Sequence, residues 1–273
     1  MGTRVSYGGP AIVPPSATFT IAVLATNVAK HLPPCFASMA PLIEQTGAKT
    51  LVILNQGGDT ATAEVARRLA DRAVEKPFEN FSRQRNYALE LAQSDWVLFI
   101  DADERLTPAL CREIATVVER GLGAGWQVPR RNFLFGREMR HTGWWPDYQV
   151  RLIRPTLSHY DDTRHVHEFP IVGGEIYTLL NPLIHFNYES WSQFFGKQRA
   201  YAPLEAQALY NDGARARPRS LLGQPLRELQ RRLITYQGWR DGIQGLALSI
   251  AMALYKADVY RRLLAAGRKA RRD

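Results

Sequence analysis

The stretch that decides the fold is Trp96-Val97-Leu98-Phe99-Ile100-Asp101-Ala102-Asp103. Five apolar residues in succession, bounded by polar ones, predict a β-strand that is buried on both faces, as in a mainly parallel sheet. Two carboxylates follow this strand, one residue apart. Ligands of open α/β sheets bind outside the carboxyl ends of the strands, so we expect Asp101 and Asp103 to lie at a binding site.

The pair of carboxylates suits a divalent cation. Magnesium and manganese take oxygen ligands and are usually shared between one or two carboxylates and the phosphates of a substrate. The sequence therefore predicts a cation that bridges Asp101 and Asp103 to a diphosphate. The alternative is that one Asp caps the next element while the other is solvated, because so short a motif also occurs by chance.

Length and composition limit the class of protein. The chain has 273 residues, of which 45% are hydrophobic and 22% charged, values typical of an ordinary globular protein. Cys35 and Cys111 imply no disulfide framework, and with no recognisable secretory leader they favour a reducing cytoplasm. No apolar run reaches membrane-spanning length. Residues 1–17 are predicted to be a flexible leader, and the match of Met1–Ser6 to an N-myristoylation pattern is attributed to chance.

The positive charge is concentrated at one end of the chain. Residues 215–273 contain 14 Lys and Arg against four Asp and Glu, although the net charge of the whole chain is only +9. Leu226, Leu229 and Leu233 form a helical stripe among arginines, and 243–255 is apolar but too short to span. We expect this segment to contact an anionic membrane surface, and we expect no nucleic acid partner. The alternative is a helical pair packed on the rest of the chain, or a homodimer interface.

The hydrophobic patterns alternate between strands and helices. Strands are predicted at Phe19–Ala25, Thr50–Leu54, Trp96–Ile100 and Tyr148–Ile153, and helices at Thr62–Ala73, after an N-cap at Ser82, and from Thr107-Pro108 to about Gly121. This alternation indicates βαβ units. We predict a catalytic domain over 18–190, divided into 18–124 and 125–190, followed by a basic helical extension over 191–273.

Taken in order, these segments resemble the family 2 inverting glycosyltransferases, whose fold is called GT-A, and in particular the bacterial enzymes that add a sugar to the lipopolysaccharide inner core. The resemblance covers roughly Phe19 to Tyr201. It is carried by Ala25-Thr26-Asn27, Asn55-Gln56-Gly57-Gly58-Asp59-Thr60, Arg83-Gln84-Arg85-Asn86-Tyr87-Ala88-Leu89, Asp101-Ala102-Asp103-Glu104-Arg105-Leu106, 143–152 and Val166-His167-Glu168. Such an ordered series is far more specific than any one of its members.

The resemblance implies a fold and an activity. The fold is an α/β GT-A fold with a mostly parallel central sheet, flanking helices and a C-terminal helical extension. The activity is metal-dependent, inverting transfer of a sugar, expected to be a hexose, from a nucleotide-diphosphate sugar to a hydroxyl of a saccharide or glycolipid acceptor. The expected cofactor is Mn²⁺ or Mg²⁺, and the expected donor is a UDP-sugar. The cysteine content and the basic C-terminal segment, rather than the resemblance, give the expected place, which is the cytoplasm, peripheral on the inner face of the membrane. Cell-surface polysaccharide or lipopolysaccharide biosynthesis is the implied role.

The resemblance also assigns roles to residues. Donor contacts are expected from Ala25, Asn27, Asn55, Arg83, Asn86, Asp101 and Ala102. Asp103 is expected to hold the metal, with His167 as a third ligand or a diphosphate contact. Asp147 stands where the family carries its base, and we expect its aromatic neighbours to raise its pKa by desolvation. Trp144 and Trp145 are expected to stack on the acceptor sugar, although a structural Asp and a small aromatic core would give the same pattern.

Two departures from the family pattern concern the nucleoside. Family members usually have an acidic residue after the first-strand Asn and an Asp at the end of the second strand, whereas this chain has Val28-Ala29 and Asn55. These losses weaken the expectation of uridine and leave a non-catalytic sugar-nucleotide binder as the alternative function. An aspartate-nucleophile phosphatase is disfavoured by Arg105, and a nucleotidyltransferase by the lack of a Gly-rich loop after the first strand.

Overall fold

The computed structural model describes residues 17–162 and 169–269. The strands are β1 (Phe19–Ala25), β2 (Lys49–Asn55), β3 (Arg72–Lys76), β4 (Trp96–Asp101), β5 (Glu104–Arg105), β6 (Gly125–Leu134), β7 (Arg137–Glu138), β8 (Asp147–Ile153), β9 (Ser158–Tyr160), β10 (Pro170–Val172), β11 (Ile176–Thr178) and β12 (Leu183–Tyr188). The helices are α1 (Leu32–Thr46), α2 (Thr60–Leu69), α3 (Phe81–Ala92), α4 (Pro108–Arg120), α5 (Trp191–Asn211), α6 (Ser220–Gln230) and α7 (Gly242–Lys269).

One mixed sheet of ten strands forms the centre of the molecule, in the order β3-β2-β1-β4-β8-β6-β12-β5, with β7 and β11 also paired to β6. Strands β1 to β4 are parallel, as their apolar sequences predict. Their side chains alternate between two buried clusters, one against α1 and α4 and the other against α3. The predicted α/β class, with a central sheet, flanking helices and C-terminal helices, is confirmed.

Two local predictions in this half are wrong. The helix predicted to reach Ala73 ends at Leu69, and Ala73 lies in β3. The reason is Asp71, whose carboxylate accepts hydrogen bonds from the backbone N–H and the hydroxyl of Thr50, both at 2.8 Å, and so ties the chain to β2. The N-cap of α3 is Asn80, which accepts from the N–H of Arg83, whereas Ser82 is buried inside the helix.

The second half of the sheet is mixed. Strand β8 lies antiparallel between β4 and β6, and β12 runs parallel to β6. The register places Asp147 of β8 beside Arg130 of β6, and His185 of β12 beside Asn132 of β6. Because alternate residues of a strand point to the same face, Arg130 and Asn132 bring two neighbouring strands into one polar site.

The chain is largely helical from Trp191 onward, as predicted, and α7 packs against both α5 and α6, while α5 and α7 also pack on the sheet. Leu248 and Ala251 of α7 lie in a cluster with Leu134 of β6 and Phe194 of α5. The stripe predicted from Leu226, Leu229 and Leu233 is not the buried face of α6. Leu226 is exposed, and the buried residue of α6 is Glu228, which pairs with Arg232 at 2.6 Å.

The connection between α6 and α7 holds the loop that precedes Asp147. Asp241 accepts hydrogen bonds from the backbone N–H of Arg140 and His141 and from the hydroxyl of Thr142. Arg232 donates to the carbonyl of Thr142 at 2.6 Å. The helical extension is therefore fixed to the loop over residues 140–146, which ends in the cis peptide bond Trp145-Pro146.

Candidate active site

A cleft of about 570 Å³ opens at the carboxyl ends of β1, β2 and β4. Its walls come from both halves of the sheet and from α5. The lining residues are Leu24, Ala25, Thr26, Val28, Asn55, Phe78, Phe81, Arg85, Asp101, Ala102, Asp103, Arg130, His185, Asn187, Tyr188, Lys197 and Tyr201. Ala25, Asn55, Asp101, Ala102 and Asp103 therefore lie together, as the sequence predicts.

A smaller pocket adjoins this cleft next to the ends of β1 and β2. Ala25, Asn27 and Asn55 line it together with Gly57, Gly58 and residues of α2. Asn27 has a positive φ of 55° and accepts a hydrogen bond from the N–H of Asp59. Asn55 accepts from the side-chain amide of the buried Gln84 at 2.8 Å. That bond leaves the NH₂ group of Asn55, a donor, for any ligand that reaches it.

Two predicted donor contacts are placed elsewhere. Arg83 lies on the outer side of α3 and pairs with Glu79 and Asp162. Asn86 uses both ends of its amide on the backbone of Tyr160, at 2.8 Å each, and so joins α3 to β9. Two residues of this helix do line the cleft, Phe81 and Arg85, and the guanidinium of Arg85 lies 3.8 Å from a carboxylate oxygen of Asp101.

A buried ion network lies behind the paired aspartates. Arg151 donates to Asp101 and to Glu104, both at 2.5 Å, and the side chain of Glu104 is fully buried. Arg130 is a further cation of this network, with 3.4 Å between its guanidinium and the carboxylate of Glu104. Because Arg151 and Arg85 oppose the effect of burial, the pKa of Asp101 stays well below its usual range. Asp101 is thus neutralised by protein cations, which leaves Asp103 as the more available carboxylate for a metal.

Asp103 faces His185, with 3.6 Å between its carboxylate and Nε2 of the imidazole. His185 is buried on β12, and its Nδ1 lies 2.7 Å from Oδ1 of Asn132. The orientation of the Asn132 amide follows from its other contacts. Its NH₂ group donates to the carbonyl of Trp144 at 2.8 Å and to the carboxylate of Asp147 at 3.0 Å, and neither can donate in return. Nδ1 of His185 must therefore carry a proton, so Nε2 is the ring nitrogen that faces the cleft as a potential metal ligand.

Asp147 begins β8 and is held by three side chains. Arg130 donates to it through Nε and an amino group, at 3.0 and 2.7 Å, and Asn132 and Gln149 each donate at 3.0 Å. We expected a raised pKa, and this is wrong. Burial does act to raise the pKa of Asp147, but Arg130, Asn132 and Gln149 outweigh it and lower the pKa. The carboxylate is therefore ionised at neutral pH.

The two tryptophans before Asp147 differ. Trp144 is half-buried, packs edge-on against Tyr188 and lies under the guanidinium of Arg232, so it belongs to the small aromatic core. Trp145 is 38% exposed and can present its ring to a ligand. His167, predicted as a metal ligand, lies outside the described residues together with His165 and Glu168.

The chain is similar in sequence to known proteins. The family model described as glycosyl transferase family 2 matches residues 20–170. The chain belongs to this family. This glycosyltransferase is 27% identical over 252 residues to the lipopolysaccharide core biosynthesis glycosyltransferase LpsC of Rhizobium meliloti, covering 88% of this chain and 91% of LpsC.

Solved structures to which the chain is similar include Staphylococcus aureus TarS 1–349 in complex with UDP-GlcNAc. That match has 14% identity and a TM-score of 0.47, and it covers 93% of this chain and 92% of TarS. Glucosyl-3-phosphoglycerate synthase of Mycobacterium tuberculosis, in complex with Mn²⁺, UDP and glucosyl-3-phosphoglycerate, has 19% identity and a TM-score of 0.36, over 43% of this chain and 44% of that one.

Several residues of the glycosyltransferase site were not found from the sequence. They are Arg130, Asn132, Arg151, His185 and Lys197. A signal for most of them exists, because Arg130-x-Asn132 and Asp147-x-Gln149-x-Arg151 are polar residues at the two-residue spacing of one strand face. His185 and Lys197 stand alone in their segments and carry no such signal.

The residues of the site fit a divalent cation of the kind that the family implies. Among residues 17–162 and 169–269, no three His, Cys, Asp or Glu side chains are arranged to hold a metal by themselves. Asp103 and Nε2 of His185 nevertheless offer one carboxylate and one imidazole side by side in the cleft. Such a pair suits a cation that takes its remaining ligands from substrate phosphates.

Proposed function

We propose that this glycosyltransferase carries out metal-dependent, inverting transfer of a sugar from a nucleotide-diphosphate sugar, with a UDP-sugar as the first candidate, to a hydroxyl of a saccharide or glycolipid in lipopolysaccharide core synthesis. The observation that supports it best is the Asn132 amide. It connects Asp147, the candidate base, to His185, which faces Asp103. One buried side chain thus contacts both the candidate base, which would act on the acceptor, and the histidine beside the proposed diphosphate position.

The donor is proposed to bind across the two pockets. Its nucleoside would occupy the pocket at the ends of β1 and β2, beside Asn27 and Asn55. Its diphosphate would lie beside Asp103, where Arg85 and Lys197 line the cleft. Mn²⁺ or Mg²⁺, held by Asp103 and His185, would supply Lewis-acid stabilisation of the leaving diphosphate. The two cationic side chains add fixed positive charge in the same place.

Asp147 is proposed to take the proton of the acceptor hydroxyl. The hydroxyl oxygen attacks the anomeric carbon as the bond to the diphosphate breaks, its proton passes to the Asp147 carboxylate, and one displacement inverts the configuration. Asp147 is partly exposed and ionised, whereas Glu104 is fully buried and paired with arginine. Arg130 and Asn132 fix the carboxylate in place. Trp145, two residues earlier in the chain, has an exposed ring on which the acceptor sugar would stack.

The proposed roles of Asp147 as the base and of Asp103 and His185 as metal ligands can be tested with three variants. Asp147→Asn should bind UDP with manganese as the wild type does, yet lose about 10²- to 10⁴-fold in transfer, the usual worth of a general base. Asp103→Asn and His185→Asn should weaken the manganese-dependent binding of UDP by at least roughly 10-fold. The asparagine at 185 can still donate to Asn132, so it removes only the Nε2 ligand.

Isothermal titration of UDP with and without manganese gives the binding constants. Transfer is followed as release of nucleoside diphosphate from UDP-, GDP- and dTDP-hexoses with lipopolysaccharide core oligosaccharide as acceptor. Glu119→Gln, on the exposed face of α4, is the control and should change neither quantity. Full transfer by Asp147→Asn would refute the assignment of the base. A wild-type chain that binds donors but transfers from none would favour the non-catalytic alternative.

A further inference from the structure

Helix α7 has two apolar faces, and within residues 17–162 and 169–269 only one of them is covered. Val259 and Leu263 pack on α5, in a cluster with Ala202 and Ala206. On the other side, Ile243, Leu246, Ile250 and Leu254 are all exposed, and Ile243 is 88% exposed. Their spacing of three, four and four residues places them on one side of the helix. A helix that is apolar all round is normally buried, so something is expected to cover the outer face.

The exposed apolar surface continues onto the neighbouring segments. Leu222 and Leu226 are exposed on α6, which packs against α7. Trp239, in the short turn between the two helices, is 66% exposed. We call the set Leu222, Leu226, Trp239, Ile243, Leu246, Ile250 and Leu254 the outer face. Branched aliphatic side chains with one tryptophan are the composition of segments that lie at a lipid–water boundary.

The charges around the outer face are positive. Exposed arginines stand on the same segments, at Arg219, Arg227, Arg240, Arg261 and Arg268. Arg261 and Arg268 follow Leu254 at intervals of seven residues, so they continue the line of the outer face along α7.

The acidic residues between 213 and 268 are withdrawn from solvent or paired. Glu228 is buried against Arg231 and Arg232, Asp241 is buried against the loop over 140–142, and Asp258 pairs with Arg261 and Arg262. Over the described residues 213–268, the surface thus combines apolar side chains with positive charge and no free carboxylate. Such a surface is complementary to acidic lipid headgroups over an acyl layer.

We propose that the outer face is the surface by which the protein lies on an anionic lipid bilayer. It would do so without crossing, because no helix within residues 17–162 and 169–269 combines the length and the apolar character that a span needs. The contact has a direct link to the active site. Asp241 and Arg232, between α6 and α7, bind the loop that leads to Trp145 and Asp147. Trp145 and Asp147, the candidate acceptor-binding residue and base, are thereby held at a fixed position relative to the bilayer.

Vesicle flotation of the full chain tests the proposal without donor or acceptor, so its outcome does not depend on the proposed sugar transfer. The probes are vesicles of phosphatidylcholine alone and vesicles with one third phosphatidylglycerol. The wild type should bind the anionic vesicles and lose binding as salt is raised. Arg227→Gln, Arg240→Gln and Arg268→Gln together should weaken that binding by roughly 100-fold.

The apolar part of the outer face is tested with Ile243→Glu combined with Ile250→Glu, which should abolish flotation. Leu180→Glu is the matched control, because Leu180 is 86% exposed between β11 and β12, away from the outer face, and should float as the wild type does. Circular dichroism and the melting temperature confirm that each variant is folded. Equal flotation of the double variant and the wild type would overturn the proposal. So would a wild-type dimer that does not float and that the double variant converts to a monomer.

Discussion

The two halves of the central sheet place their polar groups differently. In the parallel half, β1, β2 and β4 are largely apolar on both faces, and their functional residues lie at the carboxyl ends: Asn55 and Asp101 are the last residues of β2 and β4, and Asp103 follows β4. In the mixed half, β6, β8 and β12 carry polar residues within the strands, and the register brings these together. A site at strand ends depends on topology alone, whereas a site on strand faces depends also on register.

The largest expected effect concerns the buried ions of the mixed half. Arg151→Met leaves the fully buried Glu104 with one cation fewer and should lower the free energy of unfolding by about 3–5 kcal/mol. Urea denaturation followed by tryptophan fluorescence measures this. Arg131→Met is the control, because Arg131 pairs with the partly exposed Glu138 and should cost less than about 1 kcal/mol. An equal decrease in the free energy of unfolding in the two variants would show that burial does not determine how much these ion pairs contribute to stability.

The next effect is a shift in pH dependence. Arg130 lowers the pKa of Asp147 while burial raises it, so Arg130→Gln should move the pKa upward. A base must be ionised to act, and the acid limb of kcat/KM should therefore move to higher pH, with less activity retained below neutrality. Arg131→Gln, the next residue on β6 and directed to the other face, should leave the limb in place. A limb that does not move in Arg130→Gln would mean that another group titrates.

The smallest effect is expected in the parallel half. Asn55→Asp keeps an oxygen for the amide of Gln84 and replaces the free NH₂ donor by an acceptor. Relative affinity should shift toward UDP over GDP and dTDP by a few-fold, on the order of the 1 kcal/mol of one exchanged hydrogen bond. Competition binding with the three diphosphates measures the ratio. Asn187→Asp, at the other end of the cleft, is the control, and an unchanged ratio at Asn55 would exclude contact with the base.

The same contrast explains what could be predicted from the sequence. The strands at Phe19 and Trp96, the helix opened by Thr107-Pro108 and the position of Asp103 follow from local patterns, because burial on both faces and capping chemistry are local signals. Strand β3 was missed because none of its residues is fully buried and three of the five, Arg72, Glu75 and Lys76, are charged.

The polar site was harder to predict for a different reason. No local pattern reports which strand will neighbour β6, so the meeting of Arg130 with Asp147 and of Asn132 with His185 could not be inferred. The expected pKa of Asp147 failed for the same cause. The aromatic neighbours are adjacent in sequence, but the groups that decide the pKa are a cation and two amides, two of which lie on the next strand.

The attachment of Asp241 and Arg232 to the loop over 140–142 has a consequence for deletion experiments. A chain shortened before α6 loses both anchors, and Gly143, which lies tight against the ring of Tyr236, loses that support as well. Loss of activity after such a deletion would follow from a displaced Asp147 even in a test tube without lipid. Point substitutions on the exposed side of the helices, rather than removal of the helices, are therefore the means to separate targeting from turnover.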